Sequence, residues 1–279
     1  MSYVERAPAP ALRDLVRTVW IQRVGERPYR QRNLPTGGIE LQCVIGAPPR
    51  LIGPLTGPVV EILAPGTTLV GIRFRPGAAA PLLGLPAREL VDLAVGLDDV
   101  WGRAAATALS DALDAAGSAP AALSTLQERL VTRRADVDPP DPLVRQTVRH
   151  LMPWGSGDVR ALGMHLAISP SQLRRRCLAA VGTGPKALQR TLRFQGVLAL
   201  AQSAQGSGGL ARLAAEAGYA DHAHLSRECL RLTGLPPSAL LADKAGQCDC
   251  GHDHSASYAP FLAGRAAQAG RASPARMSA

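Results

Sequence analysis

Two stretches in the second half of this sequence repeat one another, and the repeat narrows the folds open to the chain. At an offset of 51 residues, Leu162, Gly163, Ala167 and Ile168 match Leu213, Ala214, Gly218 and Tyr219. At an offset of 52, Leu173, Cys177, Gly182, Pro185 and Leu188 match Leu225, Cys229, Gly234, Pro237 and Leu240. Eight or more matches with one inserted residue do not arise by chance, so the chain holds two copies of one structural unit.

Each copy has the pattern of a helix-turn-helix unit. In the first copy, the small residue Gly163 lets two helices cross closely, and Ala167, four residues later, permits a sharp turn. Ser169 is predicted to cap the second helix, and Gln172 completes a capping box. The second copy repeats this order with Ala214, Gly218 and Asp221.

The second helix of each copy is predicted to have one buried face and one polar face. The polar faces carry small, polar and basic residues near the helix starts: Ser171, Arg174 and Arg175 in the first copy, and His222, Ala223, Ser226 and Arg227 in the second. A helix in the major groove presents such side chains to base edges. An amphipathic helix with a solvated face is the alternative, but two copies in one basic segment favour DNA binding.

The positive charge of the chain is concentrated around this repeat. The sequence has 31 Lys and Arg against 22 Asp and Glu, a formal net charge of +9. Residues 140–245 hold 13 basic and 6 acidic residues, a net of +7, and 11 of the 13 are arginine. Arginine pairs with phosphates and base edges better than lysine does. The segment is therefore expected to bind double-stranded DNA.

A long amphipathic helix is predicted between the two copies, over residues 185–203. It would hold both helix-turn-helix units on one side of a DNA duplex, about 34 Å or one helical turn apart. Arg193 in this helix is expected to reach a phosphate group. The glycine-rich residues 205–209 are expected to form a flexible joint into the second copy.

Residues 143–241 resemble the DNA-binding domain of AraC/XylS-type transcription regulators. The second copy has the family order of Gly218, an aromatic residue, Asp221, Leu-x-Arg, Gly234 and Pro237, within LARLAAEAGYADHAHLSRECLRLTGLPPSALL. The first copy and the connecting helix match over LGMHLAISPSQLRRRCLAAVGTGPKALQRTLRFQGVLALAQ. The resemblance implies that the bases are contacted by Ser171, Arg174, Arg175, His222, Ala223 and Arg227, and that RNA polymerase is a partner. Family members usually have phenylalanine where this chain has Cys177 and Cys229, so we expect less stable cores.

The chain is predicted to be an α+β protein with two domains. A small β-barrel or sandwich with a helical appendage is expected over residues 1–135, followed by a proline-rich linker over 136–142. An all-α, double helix-turn-helix domain of the AraC type is expected over 143–243, with its units at 158–180 and 210–232. Strands are predicted at 15–24, 38–46 and 67–75, and helices at 81–85, 89–93, 100–116 and 120–133. Family analogy suggests that the N-terminal domain senses a small-molecule effector or forms a homodimer.

Three charged residues alternate along the predicted N-terminal strands: Glu40, Arg73 and Arg75. They either line a pocket or lie on a half-exposed sheet surface, and the second interpretation is favoured because charged strand residues are seldom ligands. Residues 1–139 have neither nucleophile–base spacing nor metal-ligand spacing, so we expect a regulator and not an enzyme. An enzyme with its site in this domain is a remote alternative.

The C-terminal residues 244–279 are rich in Ala, Gly, Ser and His and are predicted to be a flexible tail. This tail contains Cys248, Cys250, His252 and His254, ligand types that suit Zn²⁺ or Cu(I). A disordered tail with coincidental ligands is the favoured interpretation. The first alternative function is nevertheless a metal-responsive transcription sensor that uses these four residues.

The remaining features argue against other classes of protein. No stretch approaches the roughly 18 apolar residues of a membrane span, and the N-terminus lacks the order of a secretory signal. The five cysteines are odd in number and mostly far apart, which does not suit a disulfide framework. We therefore predict a cytoplasmic, sequence-specific transcription regulator, an activator, that binds DNA and no membrane.

Overall fold

The N-terminal part combines two antiparallel sheets with helices in the computed structural model, which describes residues 1–154, 158–202, 209–244 and 254–272. The strands are β1 (Ser2–Arg6), β2 (Val16–Arg23), β3 (Tyr29–Asn33), β4 (Glu40–Val44), β5 (Arg50–Ile52), β6 (Val59–Leu63), β7 (Thr68–Phe74) and β8 (Ala94–Gly96). The larger sheet has the order β1-β2-β7-β4-β5-β8, and β3 pairs with β6 as a ribbon. The predicted sheet-rich domain is confirmed, as an open sheet with β1 and β8 at its edges and not as a closed barrel.

The larger sheet has an apolar face and a polar face, because residue types alternate along its central strands. In β2, Val19 and Ile21 point to one side, where they join a hydrophobic core. Helices α3 (Arg103–Asp114) and α4 (Ala119–Arg134) complete that core with Leu109, Leu113, Leu123 and Leu126. Trp20 and Gln22 point to the opposite side and are buried as well. The sheet therefore carries buried polar groups on one face, and these need partners.

Three strands lie where the sequence predicts them. Strands β2, β4 and β7 fall within residues 15–24, 38–46 and 67–75 because long runs of Val, Ile and Leu mark them. Strands β1, β3, β5, β6 and β8 were not predicted. They are short, or they carry exposed and charged residues that interrupt an apolar pattern.

The N-terminal helices depart from the prediction at two places. A helix was predicted over 100–116, but α2 (Leu97–Trp101) ends before Gly102, whose φ of 84° and ψ of 153° are not helical. Residues 89–93 were also predicted to be helical, yet a 3-10 helix ends at Leu90 and Asp92 has a φ of 58°. The other two predictions correspond to α1 (Ala80–Leu83) and α4.

The described C-terminal part is all-helical, as predicted. It contains α5 (Pro142–His150), α6 (Val159–His165), α7 (Pro170–Val181), α8 (Pro185–Gln202), α9 (Gly209–Glu216), α10 (His222–Thr233), α11 (Pro237–Lys244) and α12 (Ser255–Ala272). Helices α6 and α7 form the first helix-turn-helix unit, and α9 and α10 form the second. Helix α8 joins the two units, where the sequence predicts the long connecting helix.

The turns of the two units have the same backbone conformation. Ala167 in the first turn has a φ of 51°, and Gly218 in the second has a φ of 75°, so both are left-handed. Gly182 and Gly234 end α7 and α10 in the same conformation, with φ values of 85° and 71°. Glycine is favoured there because it has no Cβ to clash. The repeat in the sequence is thus a repeat of backbone geometry.

Two predicted boundaries need correction. The linker 136–142 ends in a helix, because Asp141 accepts a hydrogen bond from the backbone N–H of Leu143 and Pro142 suits the first helical position. The flexible tail predicted over 244–279 contains α12, which is ordered by the buried aromatic residues Tyr258 and Phe261. The glycine-rich joint predicted at 205–209 lies outside the described residues except for Gly209, the first residue of α9.

Within the described part of the chain, none of the helices is both long and apolar enough to cross a bilayer.

Candidate DNA-binding surface and interdomain cavity

Helix α7 presents the first set of predicted DNA contacts. The Ser169 side chain accepts a hydrogen bond from the N–H of Gln172, and the Gln172 side chain returns one from the N–H of Ser169, which confirms the predicted capping box. Leu173, Cys177 and Val181 are buried on the inner side of the helix. The outer side exposes Ser171, Arg174 and Arg175.

Helix α10 repeats this arrangement in the second unit. The Asp221 carboxylate accepts a hydrogen bond from the N–H of His224 at 2.6 Å and so caps the helix. Leu225, Cys229 and Leu232 are buried, whereas His222, Ala223 and Arg227 are exposed and Ser226 is half-buried. The two second helices therefore expose the predicted contact residues near their N-termini.

The arginines on these two outer faces are electrostatically available. Arg174, Arg175 and Arg227 form no ion pair with a carboxylate of the described residues. By contrast Arg176, which points away from that face of α7, binds Asp141 at 2.6 Å. Arg231 of α10 likewise lies 3.8 Å from Glu228. Unpaired arginines on an exposed face are suited to bind phosphates and base edges.

Arg193 of α8 has a more buried position than its predicted phosphate contact requires. Its guanidinium lies 5.5 Å from the centre of the Tyr219 ring, a cation–π contact that joins α8 to the second unit. Burial raises the pKa of Tyr219, although the charge of Arg193 acts to lower it. Arg193 thus has a structural contact, and its contact with a phosphate stays a prediction.

The two cysteines at the positions where relatives usually have phenylalanine belong to the helical core. The exposed fraction is 0% for Cys177 and 1% for Cys229. Burial, and to a smaller extent the charge of Asp141, raises the pKa of Cys177 to about 12. Its thiol is therefore protonated at neutral pH and acts as a small apolar side chain.

A cavity of about 600 Å³ lies between the polar face of the larger sheet and the C-terminal helices. Its floor includes Trp20, Gln22 and Arg73, and its walls include Tyr29 of the ribbon. The C-terminal part contributes Gln195 and Leu198 of α8, Leu240 of α11, and His254, Ser257 and Tyr258 at the start of α12. The volume lies in the range of small-molecule sites, and both domains contribute to it.

A buried ion-pair network forms one end of this cavity. The Arg73 guanidinium donates to Glu40 at 2.6 Å and to Glu5 at 2.7 Å. Burial raises the pKa of Glu5, but the charge of Arg73 and hydrogen bonds from His254 and Ser257 outweigh burial, and the pKa lies well below its usual range. For Arg73, burial lowers the pKa, and the charges of Glu40 and Glu5 reverse that effect. All three groups are therefore charged at neutral pH.

The predicted charges on the N-terminal strands separate into two groups. Glu40 and Arg73 line the cavity, so their favoured assignment to a half-exposed surface is wrong. They face each other because β4 and β7 pair with Glu40 opposite Arg73, a long-range register that the sequence does not reveal. Arg75 instead donates to the backbone carbonyl of Arg13, apart from the cavity.

A chain of polar side chains forms the other side of the cavity, and the sequence analysis missed it. Hydrogen bonds run from Gln22 to Gln31, from Gln31 to Asn33, and from Asn33 to Glu61, and Arg50 binds both Glu61 and Gln42. One signal was available, because Thr18 and Gln22 stand at alternate positions of an otherwise apolar strand. Polar residues at every second position of a buried strand indicate a polar site.

Helix α12 connects the N-terminal sheet with the helix-turn-helix part. The Ser257 hydroxyl accepts a hydrogen bond from Arg73 at 2.6 Å, and the Ser257 N–H donates to Glu5 at 2.9 Å. Farther along α12, Phe261 is buried among the C-terminal helices, and Arg265 binds Glu216 of α9 at 3.1 Å. One helix therefore contacts the cavity at its start and the second unit near its middle.

The first unit also packs directly on the N-terminal domain. Gly182, which ends α7, lies against Pro54 and Val91, and a Cβ at this glycine would be 2.8 Å and 2.9 Å from their side chains. The side chain of Gln195 in α8 donates to the backbone carbonyl of Pro35 at 2.7 Å. The domain that forms the cavity is thus in contact with both the first unit and the connecting helix.

The predicted metal ligands are only partly visible. Cys248, Cys250 and His252 lie outside the described residues. His254 is described, and its Nδ1 lies 3.4 Å from Glu5 Oε1 while its ring is 4.7 Å from that of Tyr3. The residues that the structure describes contain no cluster of three or more ligand side chains.

Comparisons with known proteins support the assignment of the C-terminal domain. Residues 162–243 match a family described as a helix-turn-helix domain, and residues 4–96 match a domain of unknown function, DUF6597. Comparison with curated proteins gave no match.

Several solved structures of ToxT from Vibrio cholerae are similar to this chain at low identity. An apo ToxT variant is 11% identical, with a TM-score of 0.46 over 85% of this chain and 99% of that chain. ToxT of strain O395 is 11% identical, with a TM-score of 0.45 over 81% and 97%. Wild-type ToxT with an unsaturated fatty acid bound is 11% identical, with a TM-score of 0.43 over 86% and 95%.

The helix-turn-helix family match covers both units, and the two units share their turns, caps and exposed basic faces. The chain thus carries, over residues 162–243, a helix-turn-helix domain of the AraC type, the DNA-binding domain of a transcription regulator.

Proposed function

We propose that this regulator uses both helix-turn-helix units to bind two successive major grooves of one DNA duplex. The observation that carries the proposal is the pair of second helices, α7 and α10, which share caps and buried positions and expose unpaired arginines. Contacts to phosphates would supply affinity, and the two exposed faces would supply sequence preference. The stiff helix α8 would fix the spacing of the two half-sites.

The first test is the substitution of one arginine on each face. We expect Arg174→Ala and Arg227→Ala each to cost about 1–3 kcal/mol at one position of the DNA site and to relax sequence preference there. Binding would be measured on a set of DNA duplexes that differ by single base pairs. Binding should also weaken steeply with rising salt concentration, because phosphate contacts release counterions.

Arg176→Ala is the matched control, because Arg176 lies on the same helix but binds Asp141. It should leave the base preference unchanged. A uniform loss of affinity across all DNA sequences in Arg174→Ala and Arg227→Ala would contradict their assignment to base contacts and would place them at the phosphates. Salt-independent binding would contradict the electrostatic argument.

The N-terminal domain is proposed to control DNA binding through a small-molecule effector in the cavity. The support is physical: the cavity is lined by the sheet and by α8, α11 and α12, so a ligand there would touch both domains. The family resemblance adds further expectations, namely that the protein is a cytoplasmic activator, contacts RNA polymerase and forms a homodimer. Transcription in vitro with purified polymerase, and the mass of the protein in solution, test these expectations.

A metal-responsive sensor is the second candidate function. It rests on Cys248, Cys250, His252 and His254, and on the position of His254 beside Glu5 immediately before α12. Removal of residues 246–279 would also remove α12, so the sharper test is Cys248→Ser with Cys250→Ser. Titration with Zn²⁺ or Cu(I) should change the DNA affinity of the unsubstituted protein alone. Equal DNA affinity with and without metal would eliminate this candidate.

A further inference from the structure

The floor of the cavity contains one hydrogen-bond donor and one acceptor without partners among the described residues. The donor is Nε1–H of Trp20, and the acceptor is Oε1 of Gln22. Each side chain is only 1% exposed, and each lines the cavity. They stand two positions apart on β2, on the same face of the sheet. Unsatisfied buried polar groups are costly, so these two atoms mark a place for a molecule that satisfies both.

The charges buried around this floor are balanced. Two guanidinium groups and two carboxylates form the ion-pair end of the cavity and its surroundings: Arg17, Arg73, Glu5 and Glu40. On the other side, Arg50 pairs with Glu61 at 2.5 Å. A charged ligand on this floor would meet no uncompensated opposite charge, and a buried unpaired charge is expensive. The balance favours an uncharged ligand.

Aromatic rings set the shape of the ligand. The rings of Tyr3 and Trp20 lie 5.8 Å apart, and Tyr29 forms a nearby wall. The Trp20 ring lies close against Gly71, where a Cβ would be 2.2 Å from Cζ2 of the indole. The absence of a side chain at Gly71 therefore lets the indole lie flat on the sheet beside the cavity. Flat faces of this kind favour a planar ring.

We propose that the cavity binds an uncharged, planar small molecule that accepts a hydrogen bond from Trp20 and donates one to Gln22. Neutral heterocyclic amides and lactams are the chemical class with this combination of groups. The inference deepens the effector role proposed above and rests on it. It does not depend on how the protein contacts DNA.

The test uses the full chain labelled with ¹⁵N and observes the three indole N–H signals. Trp101 donates to the carbonyl of Leu82 and Trp154 donates to that of Phe261, so Trp20 alone has an indole N–H free for a ligand. The probes are two matched pairs, nicotinamide with nicotinate and uracil with orotate. The members of each pair share a planar ring and differ by a carboxylate charge. Oleate serves as a long-chain anion.

We expect nicotinamide or uracil to move the Trp20 signal saturably, with the Trp101 signal unchanged. The matched carboxylates should bind at least tenfold more weakly. Gln22→Met should weaken the neutral probe at least tenfold, and unchanged Trp101 and Trp154 signals would show that this variant is folded. If it does not fold, the comparison of neutral and anionic probes on the unsubstituted protein decides the matter.

Three results would overturn the inference. The first is a Trp20 shift that is as strong with nicotinate, orotate or oleate as with the neutral probes, since this would assign an anion to the cavity. The second is no saturable Trp20 shift with either neutral probe. The third is an equal shift of Trp20 and Trp101, which would indicate non-specific binding. DNA affinity is measured separately on the same protein, so the failure of this inference is distinguishable from a failure of the DNA-binding proposal.

Discussion

At the scale of single residues, the two turns differ in one informative way. Both turns require a left-handed residue, but the first uses Ala167 and the second uses Gly218. A left-handed backbone costs an L-residue other than glycine about 1–2 kcal/mol. The first unit therefore contains backbone strain that the second unit avoids.

We expect Ala167→Gly to stabilise the protein and Gly218→Ala to destabilise it. Each change should amount to roughly 0.5–1 kcal/mol, because the relief or gain of strain is partly offset by the entropy of glycine in the unfolded chain. Both positions are exposed, and a Cβ at Gly218 would meet nothing within 4 Å, so packing does not confound the pair. The free energy of unfolding in urea is the measurement. Changes of the same sign in the two variants would contradict this explanation.

At the scale of elements, the sequence predicts what local patterns determine. The helix-turn-helix units were predictable because caps, small turn residues and apolar spacing are local and occur twice. Strands β2, β4 and β7 were predictable because their apolar runs are long. The break at Gly102 was not, since a glycine inside a helical pattern is often tolerated and its φ depends on the chain around it.

Helix α12 shows how composition can mislead. Residues 244–279 contain few apolar side chains, which is typical of a mobile tail. Two aromatic residues three positions apart, Tyr258 and Phe261, nevertheless place one face of this helix in the core. Their spacing was the signal that the prediction of a flexible tail overlooked.

Phe261 is expected to be the main anchor of α12. Its exposed fraction is 1%, so Phe261→Ala should lower the free energy of unfolding by about 3–5 kcal/mol or detach the helix. Hydrogen exchange of the α12 amides distinguishes these outcomes, because only detachment abolishes their protection. Ala259→Ser is the control, since Ala259 is exposed on the same helix. Unchanged stability of Phe261→Ala would show that α12 contributes little to the core.

At the scale of the whole molecule, the ion pairs between the domains make stability depend on pH. The pKa of Glu5 in the folded protein lies below its usual value, so its ionised form stabilises the fold. This contribution is complete above the unfolded pKa, about 4.3, and is lost as the pH falls toward the folded pKa. Glu5→Gln should therefore lower Tm at pH 7, and the difference from the unsubstituted protein should narrow below about pH 5.

Thermal unfolding between pH 7 and pH 4 provides the measurement. Glu26→Gln is the control, because Glu26 is exposed and should leave Tm nearly unchanged throughout. A difference between Glu5→Gln and the unsubstituted protein that stays constant with pH would contradict the role given to the Glu5 carboxylate.

The cavity was the part of the molecule least accessible to the sequence. Its residues come from five strands and from α8, α11 and α12, and only the register of β2, β4 and β7 brings their polar side chains together. Such contacts join residues up to about 250 positions apart, as between Ser257 and Glu5. Local periodicity contains no information on pairings of this kind.

Because the cavity is shared by both domains, a ligand inside it would act as a non-covalent cross-link. Its binding free energy would add to the adhesion between the two domains, by about 2.7 kcal/mol at a concentration one hundred times its Kd. Either domain expressed alone would hold only part of the ligand's contacts and would bind it weakly. Sensing would then be a property of the intact chain, and screens for the effector would have to use the undivided protein.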